Sequence, residues 1–264
     1  WIKRKLIEVL VDEFRAYSKE YYLQAIEEGR LTINDKLTEP QYVMRDNDLL
    51  VHKTNRIEPP VLDLEVKIVS EDDDFVCVNK PPGMTIHTGG GYHYNTLLAL
   101  MYFEHNKKEL FLLHRLDKCT SGVILFAKNK ETSLRFHEEN SKFVMKKMYY
   151  ARVQGNFDDV KNGSVDMPIV CLNYKNGVYC VFEKEKHEKD PAFIKELPKE
   201  SQTNFKKLWY DEETDSSLLE CYPKTGRTHQ IRVHLKYTGH PILNDCVYGG
   251  RFVGNLILRE KYGR

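Results

Sequence analysis

The sequence predicts an α+β protein, and three observations predict it. Apolar residues recur at helical spacing near both ends of the chain, at Leu6, Ile7, Leu10, Val11 and Phe14 and again at Ile231 and Leu235. Between them stand short runs of β-branched and aromatic residues bounded by turn formers. Those runs do not alternate regularly with helices, so a mixed, largely antiparallel β-sheet core with flanking helices is expected rather than a doubly wound sheet.

Leu6 to Phe14 forms a short amphipathic helix, and Tyr21, Tyr22, Ala25 and Ile26 form a second, which follows Ser18 and ends at Gly29. Leu31-Thr32-Ile33, Tyr42-Val43-Met44 and Leu49-Leu50-Val51 read as short strands, with Asn34-Asp35-Lys36 as a turn. Glu58-Pro59-Pro60 breaks the pattern, which sets residues 1–60 apart as a small α/β unit and leaves 61–264 as the main domain. Strands follow near Val66 to Val69 and at Phe75 to Val78, then the turn Lys80-Pro81-Pro82-Gly83 and a helix opening at Thr96. Phe111 to Leu113 and Val123 to Ala127 are strands around the polar loop His114 to Ser121, and Ser133 to Glu139 is a short helix. Strands at Tyr149 to Val153, Val178 to Phe182, Phe205 to Tyr210 and Leu218 to Tyr222 precede a last helix that buries Ile231 and Leu235. Residues 183–204 are mostly Lys, Glu, Asp and Pro and are expected to be a mobile charged insertion.

Composition narrows the function classes. The 264 residues carry 40 Lys+Arg against 39 Asp+Glu, a formal charge of +1, which argues against a chain that binds polyanions over its whole surface. Charge is nonetheless segregated. Lys142, Lys146, Lys147 and Arg152 form one acid-free window and Lys224, Arg227, Arg232 and Lys236 another, while acids gather at Glu71-Asp72-Asp73-Asp74 and Asp211-Glu212-Glu213. No apolar run is long enough to span a membrane. The cysteines at 77, 119, 171, 180, 221 and 246 include no Cys-x-x-Cys pair, and no histidine falls at zinc-ligand spacing, so reduced thiols and no metal site are expected. Cytosol or nucleus is the expected compartment, with mitochondria an alternative. The chain starts at Trp1 rather than Met, so upstream sequence is expected to be missing, and any targeting segment would have gone with it.

Two segments could carry chemistry. His114-Arg115-Leu116-Asp117-Lys118-Cys119-Thr120-Ser121-Gly122 puts an imidazole, a guanidinium and a carboxylate in one loop between two strands. Read alone, the string is better explained by a structural Arg–Asp pair than by catalysis. Thr225-Gly226-Arg227-Thr228-His229-Gln230-Ile231-Arg232-Val233-His234 starts at a turn and runs into a helix with His229, Arg232 and Lys236 on one face near an N-terminus that favours anions. A solvated basic helix edge explains that pattern equally well.

Together the segments resemble the RluA-type pseudouridine synthases. The resemblance runs in order through Asn79-Lys80-Pro81-Pro82-Gly83-Met84-Thr85-Ile86-His87, Asn95-Thr96-Leu97, His114-Arg115-Leu116-Asp117 with Thr120-Ser121-Gly122, Lys147-Met148-Tyr149-Tyr150-Ala151, and Gly226 to Leu235 with Gly239-His240-Pro241-Ile242. Tyr22 to Asn34 resembles the small RNA-binding module of ribosomal protein S4, and Arg56-Ile57-Glu58-Pro59-Pro60-Val61 resembles the eukaryotic branch that modifies tRNA at uridine 32 of the anticodon loop or a neighbour. Lys118-Cys119 departs from the residues common in relatives, and the chain stops soon after Gly250, where relatives continue; its C-terminal end is expected to be truncated.

The resemblance implies isomerisation of uridine to pseudouridine in RNA, tRNA above all, without cofactor, metal or obligatory protein partner, by a monomer. Asp117 is then the catalytic carboxylate, acting either as nucleophile on the sugar or as base at its second carbon. Arg232 opposes its charge, with Arg227 in reserve for that role and better suited to phosphate. Tyr149 packs on the target base and serves in proton transfer, with Tyr150 as the alternative on the opposite face of the strand. Arg115 fills the space the extruded base leaves. His114 orients Asp117 or caps the loop, the structural role being preferred; Lys80 and His87 shape the pocket floor and the RNA approach without acting on the base, and Lys147 is expected on the RNA-binding surface. A hydrolase with paired carboxylates would need a second acid, which neither segment supplies.

Overall fold

The computed structural model describes residues 1–14, 16–55, 57–142, 145–160, 163–173, 177–187 and 197–253. Elements are numbered along the chain. Helix α1 (Leu6–Val9) continues as a π-helical turn (Leu10–Phe14), so the first expected helix changes pitch after one turn. Helix α2 (Lys19–Glu27) starts where the Ser18 hydroxyl accepts the Tyr21 N–H, and it stops before Gly29, whose φ of 70° suits the glycine. Strands β1 (Leu31–Ile33), β2 (Lys36–Leu37) and β3 (Leu50–His52) form an antiparallel sheet in the order β2-β1-β3. Asn34 and Asp35, at φ 50° and 61°, make the two-residue hairpin turn between β1 and β2. Leu6, Val9, Tyr22, Ala25, Leu31 and Met44 pack as this unit's own core.

The strand expected at Tyr42 to Met44 is reduced to one bridge between Val43 and Lys5. Its backbone is occupied elsewhere: Tyr42 and Met44 carbonyls accept the Leu6 and Lys3 N–H groups, and Met44 N–H donates to Arg4. The segment thus clamps the entry to α1 instead of extending a ladder. Arg56, at the head of the expected linker, lies outside the described residues, as does the segment 188–196 of the expected insertion.

Two four-stranded sheets organise the main part of the chain. One has β4 (Lys67–Glu71), β5 (Phe75–Lys80), β7 (Gly122–Ala127) and β6 (Phe111–Leu112) in the order β4-β5-β7-β6. The other has β8 (Tyr149–Gln154), β13 (Ser216–Pro223), β12 (Gln202–Asp211) and β9 (Ser164–Asp166) in the order β8-β13-β12-β9. Strands β10 (Ile169–Asn173) and β11 (Val178–Val181) form a hairpin beside it. Among the described residues every ladder is antiparallel, and only the isolated Thr85–Thr96 bridge runs parallel. Helix α3 (Leu97–Phe103) is capped by Thr96, which accepts the Ala99 N–H, and α4 (Lys130–Lys142) follows β7. A short α5 (Lys184–His187) comes after the hairpin. Helix α6 (Gln230–Tyr237) buries Leu235 against Val153, Leu219 and Cys221 of the second sheet.

The expected insertion ends earlier than its composition suggested. Lys199 bridges to Ile169, and Ser201 and Thr203 are buried at the start of β12. Their hydroxyls tolerate burial because each finds partners: Ser201 donates to the Met167 carbonyl at 2.7 Å, and Thr203 Oγ1 sits 2.9 Å from His234 Nδ1 and accepts from Gln230 Nε2 at 3.0 Å.

Leu235 is fully buried where α6 meets three strands. Leu235→Ala is expected to lower unfolding free energy by about 2 to 5 kcal/mol, read by urea denaturation.

Candidate active site

The site is assembled by two loops and the start of one helix. After β6 the chain turns through His114 to Ser121, closed by the Thr120 N–H on the Asp117 carbonyl at 3.1 Å. Lys80, at the end of β5, is 0% exposed, and its ammonium donates to the carbonyls of Pro81, Met84 and Lys118 at 2.8, 2.9 and 3.1 Å. Gly83, at φ 81°, adds its N–H to the Lys118 carbonyl at 2.8 Å. The residue after Asp117 is therefore pinned from beneath by two donors. Burial pushes the Lys80 ammonium down to about 8, against the pull of Cys119 and Asp117. All of its protons are spent on backbone: Lys80 builds the pocket floor and has no donor left over.

Arg232, two residues into α6, is the electrostatic centre. Its Nε and Nη2 form a fork on Asp245 at 2.7 and 2.9 Å, while Nη1 reaches Asp117 Oδ2 at 3.2 Å. Asp245 Oδ1 also accepts the Val247 and Tyr248 N–H groups at 3.2 and 3.3 Å. Burial works to raise the Asp245 pKa, but the hydrogen bonds and charge of Arg232 outweigh it and hold the carboxyl below its ordinary range. The same two carboxylates raise Arg232 against its own burial. The guanidinium lies 4.8 Å from the centre of the Tyr248 ring. Asp117 is 22% exposed in its side chain, and among the described residues no hydrogen bond occupies its Oδ1. The result is a carboxylate held at one oxygen and open at the other.

Tyr149 opens β8 and is half-buried; burial and the nearby Asp117 charge both raise its pKa. Tyr150 projects to the opposite face and is 62% exposed, so the strand's alternation separates the two. His114 is fixed by the structure rather than by Asp117: its Nε2 accepts the Leu125 N–H at 3.2 Å, and its Nδ1 is buried without a partner. Burial, aided by the Lys147 charge, pushes this imidazole down to about 4. Arg115 is exposed beside Asp117, and His87 is exposed on the loop beyond Gly83. Lys147 is half-buried, and Arg227 is exposed with its Nε on the Glu200 carbonyl at 2.9 Å. The structure thus brings Asp117, Arg232 and Tyr149 together, places Arg115, His114 and Lys147 around them, and ties Arg227 to the loop before β12.

Sequence reasoning missed Asp245 and Tyr248. Asp245, which lies outside both segments, brings a second acid to the site, since it shares the same arginine as Asp117. Asp245 is not a second free carboxylate, however, because both oxygens are taken by Arg232 and Oδ1 by backbone as well. The signal was a polar Asn244-Asp245-Cys246 directly after the apolar Ile242-Leu243. Among the described residues, no three of His, Cys, Asp and Glu cluster as metal ligands, and no helix is long and apolar enough to cross a membrane.

Fold and site together define an antiparallel α+β scaffold built around one half-open carboxylate. The family model described as RNA pseudouridylate synthase matches residues 74–237. Human pseudouridylate synthase RPUSD2 is 40% identical over 249 residues, covering 94% of this chain and 43% of its own. The mitochondrial tRNA pseudouridine(32) synthase of Saccharomyces cerevisiae is 34% identical over 250 residues, 94% of this chain and 51% of its own. Among solved structures, human RNA pseudouridylate synthase domain containing 1 superposes with a TM-score of 0.58 at 26% identity over 73% of each chain. The chain belongs to the RNA pseudouridylate synthase family, in its RluA-type branch. It spans about half the length of the curated relatives it matches.

Two outcomes follow from this geometry. Arg232→Ala leaves two carboxylates facing one another without their cation, and is expected to cost about 3 to 5 kcal/mol in urea denaturation as well as activity. His114 titrates at about 4 when folded, against about 6.5 unfolded. Its contribution is complete above the unfolded value, and it is lost as pH falls toward the folded one, because there the unfolded chain binds a proton the folded chain refuses. Melting temperature should therefore drop as pH is lowered through this window. His114→Gln, whose carbonyl can accept the Leu125 N–H, should flatten the slope, leaving the part due to His52, His229 and His234, which burial also depresses.

Proposed function

We propose that this chain isomerises uridine to pseudouridine in RNA, with tRNA as substrate and uridine 32 of the anticodon loop or a neighbour as target. The observation that carries the reading is Asp117, held by Arg232 at one oxygen, open at the other and flanked by Tyr149. Isomerisation breaks the bond from uracil N1 to the sugar's first carbon and forms one from C5 to that carbon; C5 loses a proton, N1 gains one, and no electrons enter or leave. What the step needs from the protein is a carboxylate aimed at ribose, an aromatic face on the base and exclusion of water. Asp117 Oδ1 is free either to attack the sugar or to take a proton from its second carbon. Tyr149 packs on the uracil, and its phenol oxygen takes the C5 proton as the phenol's own proton is passed on toward N1. Arg115, exposed beside Asp117, enters the stack the uridine leaves, and base–aromatic stacking of about 1 to 3 kcal/mol offsets much of the extrusion.

The target assignment rests on the yeast relative's name and on Ile57-Glu58-Pro59-Pro60-Val61. Glu58 is anchored, its carboxylate accepting the Tyr94 and Asn95 N–H groups at 2.8 Å each, so this segment lies against the loop before α3. The leading helices and three-stranded sheet serve as an S4-like RNA-binding module over residues 1–60, ahead of a catalytic domain over 61–264. Arg30, over the Tyr21 ring at 5.0 Å and hydrogen-bonded to its hydroxyl, is the basic and aromatic pair best suited to RNA there. The chain acts as a monomer, and its free thiols suit a reducing compartment: cytosol, nucleus or mitochondrial matrix.

Asp117→Asn is expected to abolish pseudouridine formation in bulk tRNA while tRNA affinity stays within a few-fold, since phosphate contacts dominate binding. Conversion at near wild-type rate by this variant would overturn the reading. Absence of turnover in the wild type, with tRNA still bound, would favour a catalytically silent RNA-binding protein on the same scaffold.

A further inference from the structure

The segment that supplies Arg232 also supplies a side chain with no part in the reading above. His229 precedes α6 and holds its backbone in the left-handed region, φ 57° and ψ 20°, where a residue with a β-carbon is strained. The strain delivers the ring inward. Its Nε2 stands 3.8 Å from Asp117 Oδ2, and its Nδ1 lies 2.7 Å from the Tyr248 hydroxyl. Tyr179 and Tyr248 enclose it edge-on, each with ring centres 5.6 Å away.

The contacts of Tyr248 favour one tautomer. The Tyr248 oxygen accepts the Tyr179 N–H at 3.2 Å, and among the described residues no acceptor other than His229 Nδ1 lies within reach of the phenolic proton, so the proton goes there. Burial pushes the phenol up to about 12, so it keeps that proton. Burial likewise depresses His229, outweighing Asp117 and Asp245, which pull upward, while Arg232 and Arg115 push the same way as burial. A neutral ring that accepts at Nδ1 carries its one proton at Nε2, the nitrogen facing Asp117.

We propose that His229 is a positioning residue for Asp117: Tyr248 sets its tautomer, and the Nε2–H so presented holds Oδ2 beside Arg232 Nη1, leaving Oδ1 aimed at ribose. The proposal rests on the pseudouridine synthase reading. At 3.8 Å the contact is electrostatic in the free protein, and it shortens to a hydrogen bond when substrate closes the site.

Two substitutions separate this role from a purely structural one because they rank oppositely. Asn tolerates left-handed backbone well but is too short to reach Asp117; Gln suits that backbone less and carries an amide N–H out toward the Nε2 position. If His229 only shaped the entry to α6, Asn would equal or exceed the wild type. The positioning role predicts that in single-turnover assays on unmodified bulk tRNA, His229→Asn slows conversion about 30-fold with tRNA Kd within about twofold, whereas His229→Gln stays within about fivefold. Tyr248→Phe keeps the ring beneath Arg232 and frees the tautomer, with an expected loss of about tenfold. Wild-type turnover in His229→Asn, or equal losses in Asn and Gln, overturns the proposal. Should His229→Asn fail to fold, unchanged turnover in Tyr248→Phe overturns it. Nitrogen NMR of the His229 imidazole gives a readout independent of activity: an Nδ1-protonated ring rules the proposal out. A wild type that converts no uridine while showing the Nε2-protonated ring overturns the functional reading alone.

Discussion

One guanidinium answers to two carboxylates, and the site depends on how it divides itself. Asp245 takes Nε and Nη2 as a planar fork, the arrangement that fixes the plane of an arginine as well as its position. The one remaining nitrogen, Nη1, then has only one direction to point, and Asp117 Oδ2 lies along it at 3.2 Å. Had Arg232 paired with Asp117 alone, the fork would have covered both oxygens of the acid and left nothing to react. Asp245 thus keeps Asp117 half free by absorbing most of the cation. Lysine could not do the same, because a single ammonium cannot fix a plane for one partner while serving another.

The other side of the acid is held by backbone. The buried Lys80 ammonium gathers the carbonyls of Pro81, Met84 and Lys118 into one cluster, so the turn after β5 and the loop after β6 move together. A buried charge of this kind is costly unless its protons are satisfied, and here carbonyl oxygens satisfy all of them. The same satisfaction makes Lys80 unavailable to an incoming phosphate. Local sequence cannot distinguish a lysine that meets RNA from one that braces a loop, because the difference lies in which carbonyls converge on it from residue 118, far along the chain.

That limit runs through the comparison of sequence with structure. The helix at Thr96, the turn at Asn34-Asp35 and the alternation that separates Tyr149 from Tyr150 were legible because caps, turns and strand faces are local or period-two signals, whereas the return strand Lys36–Leu37 was not foreseen. The pairing of Asp117 with Arg232, across 115 residues, was legible only through resemblance to a family. Asp245 left only a polar run after an apolar pair as its signal, and a carboxylate there looks like a solvated turn until its fork on Arg232 is seen. Residues 201–203 misled in the same sense. Ser201 and Thr203 read as solvent-facing within a charged run, and it is the Met167 carbonyl together with His234 and Gln230, distant in sequence, that makes their burial tolerable.

Those last two residues show why core and site are hard to separate here. Helix α6 carries Gln230 and His234 on one side and Arg232 and Lys236 on another, the latter two both lying over the Tyr248 ring. Gln230 donates to the Gln202 carbonyl and Thr203, and accepts from Thr225 and the Arg227 N–H, so the first turn of the helix is bolted to the start of β12. Leu235 anchors the last turn in the sheet's core. Between these fixed points the rotation of the helix about its axis is determined, and with it the direction in which Arg232 leaves the backbone. A helix free to turn by one residue, about 100°, would carry the guanidinium away from both acids. The polar bolt at Gln230 and the apolar anchor at Leu235 therefore act on the chemistry at a distance, by deciding where one cation can be.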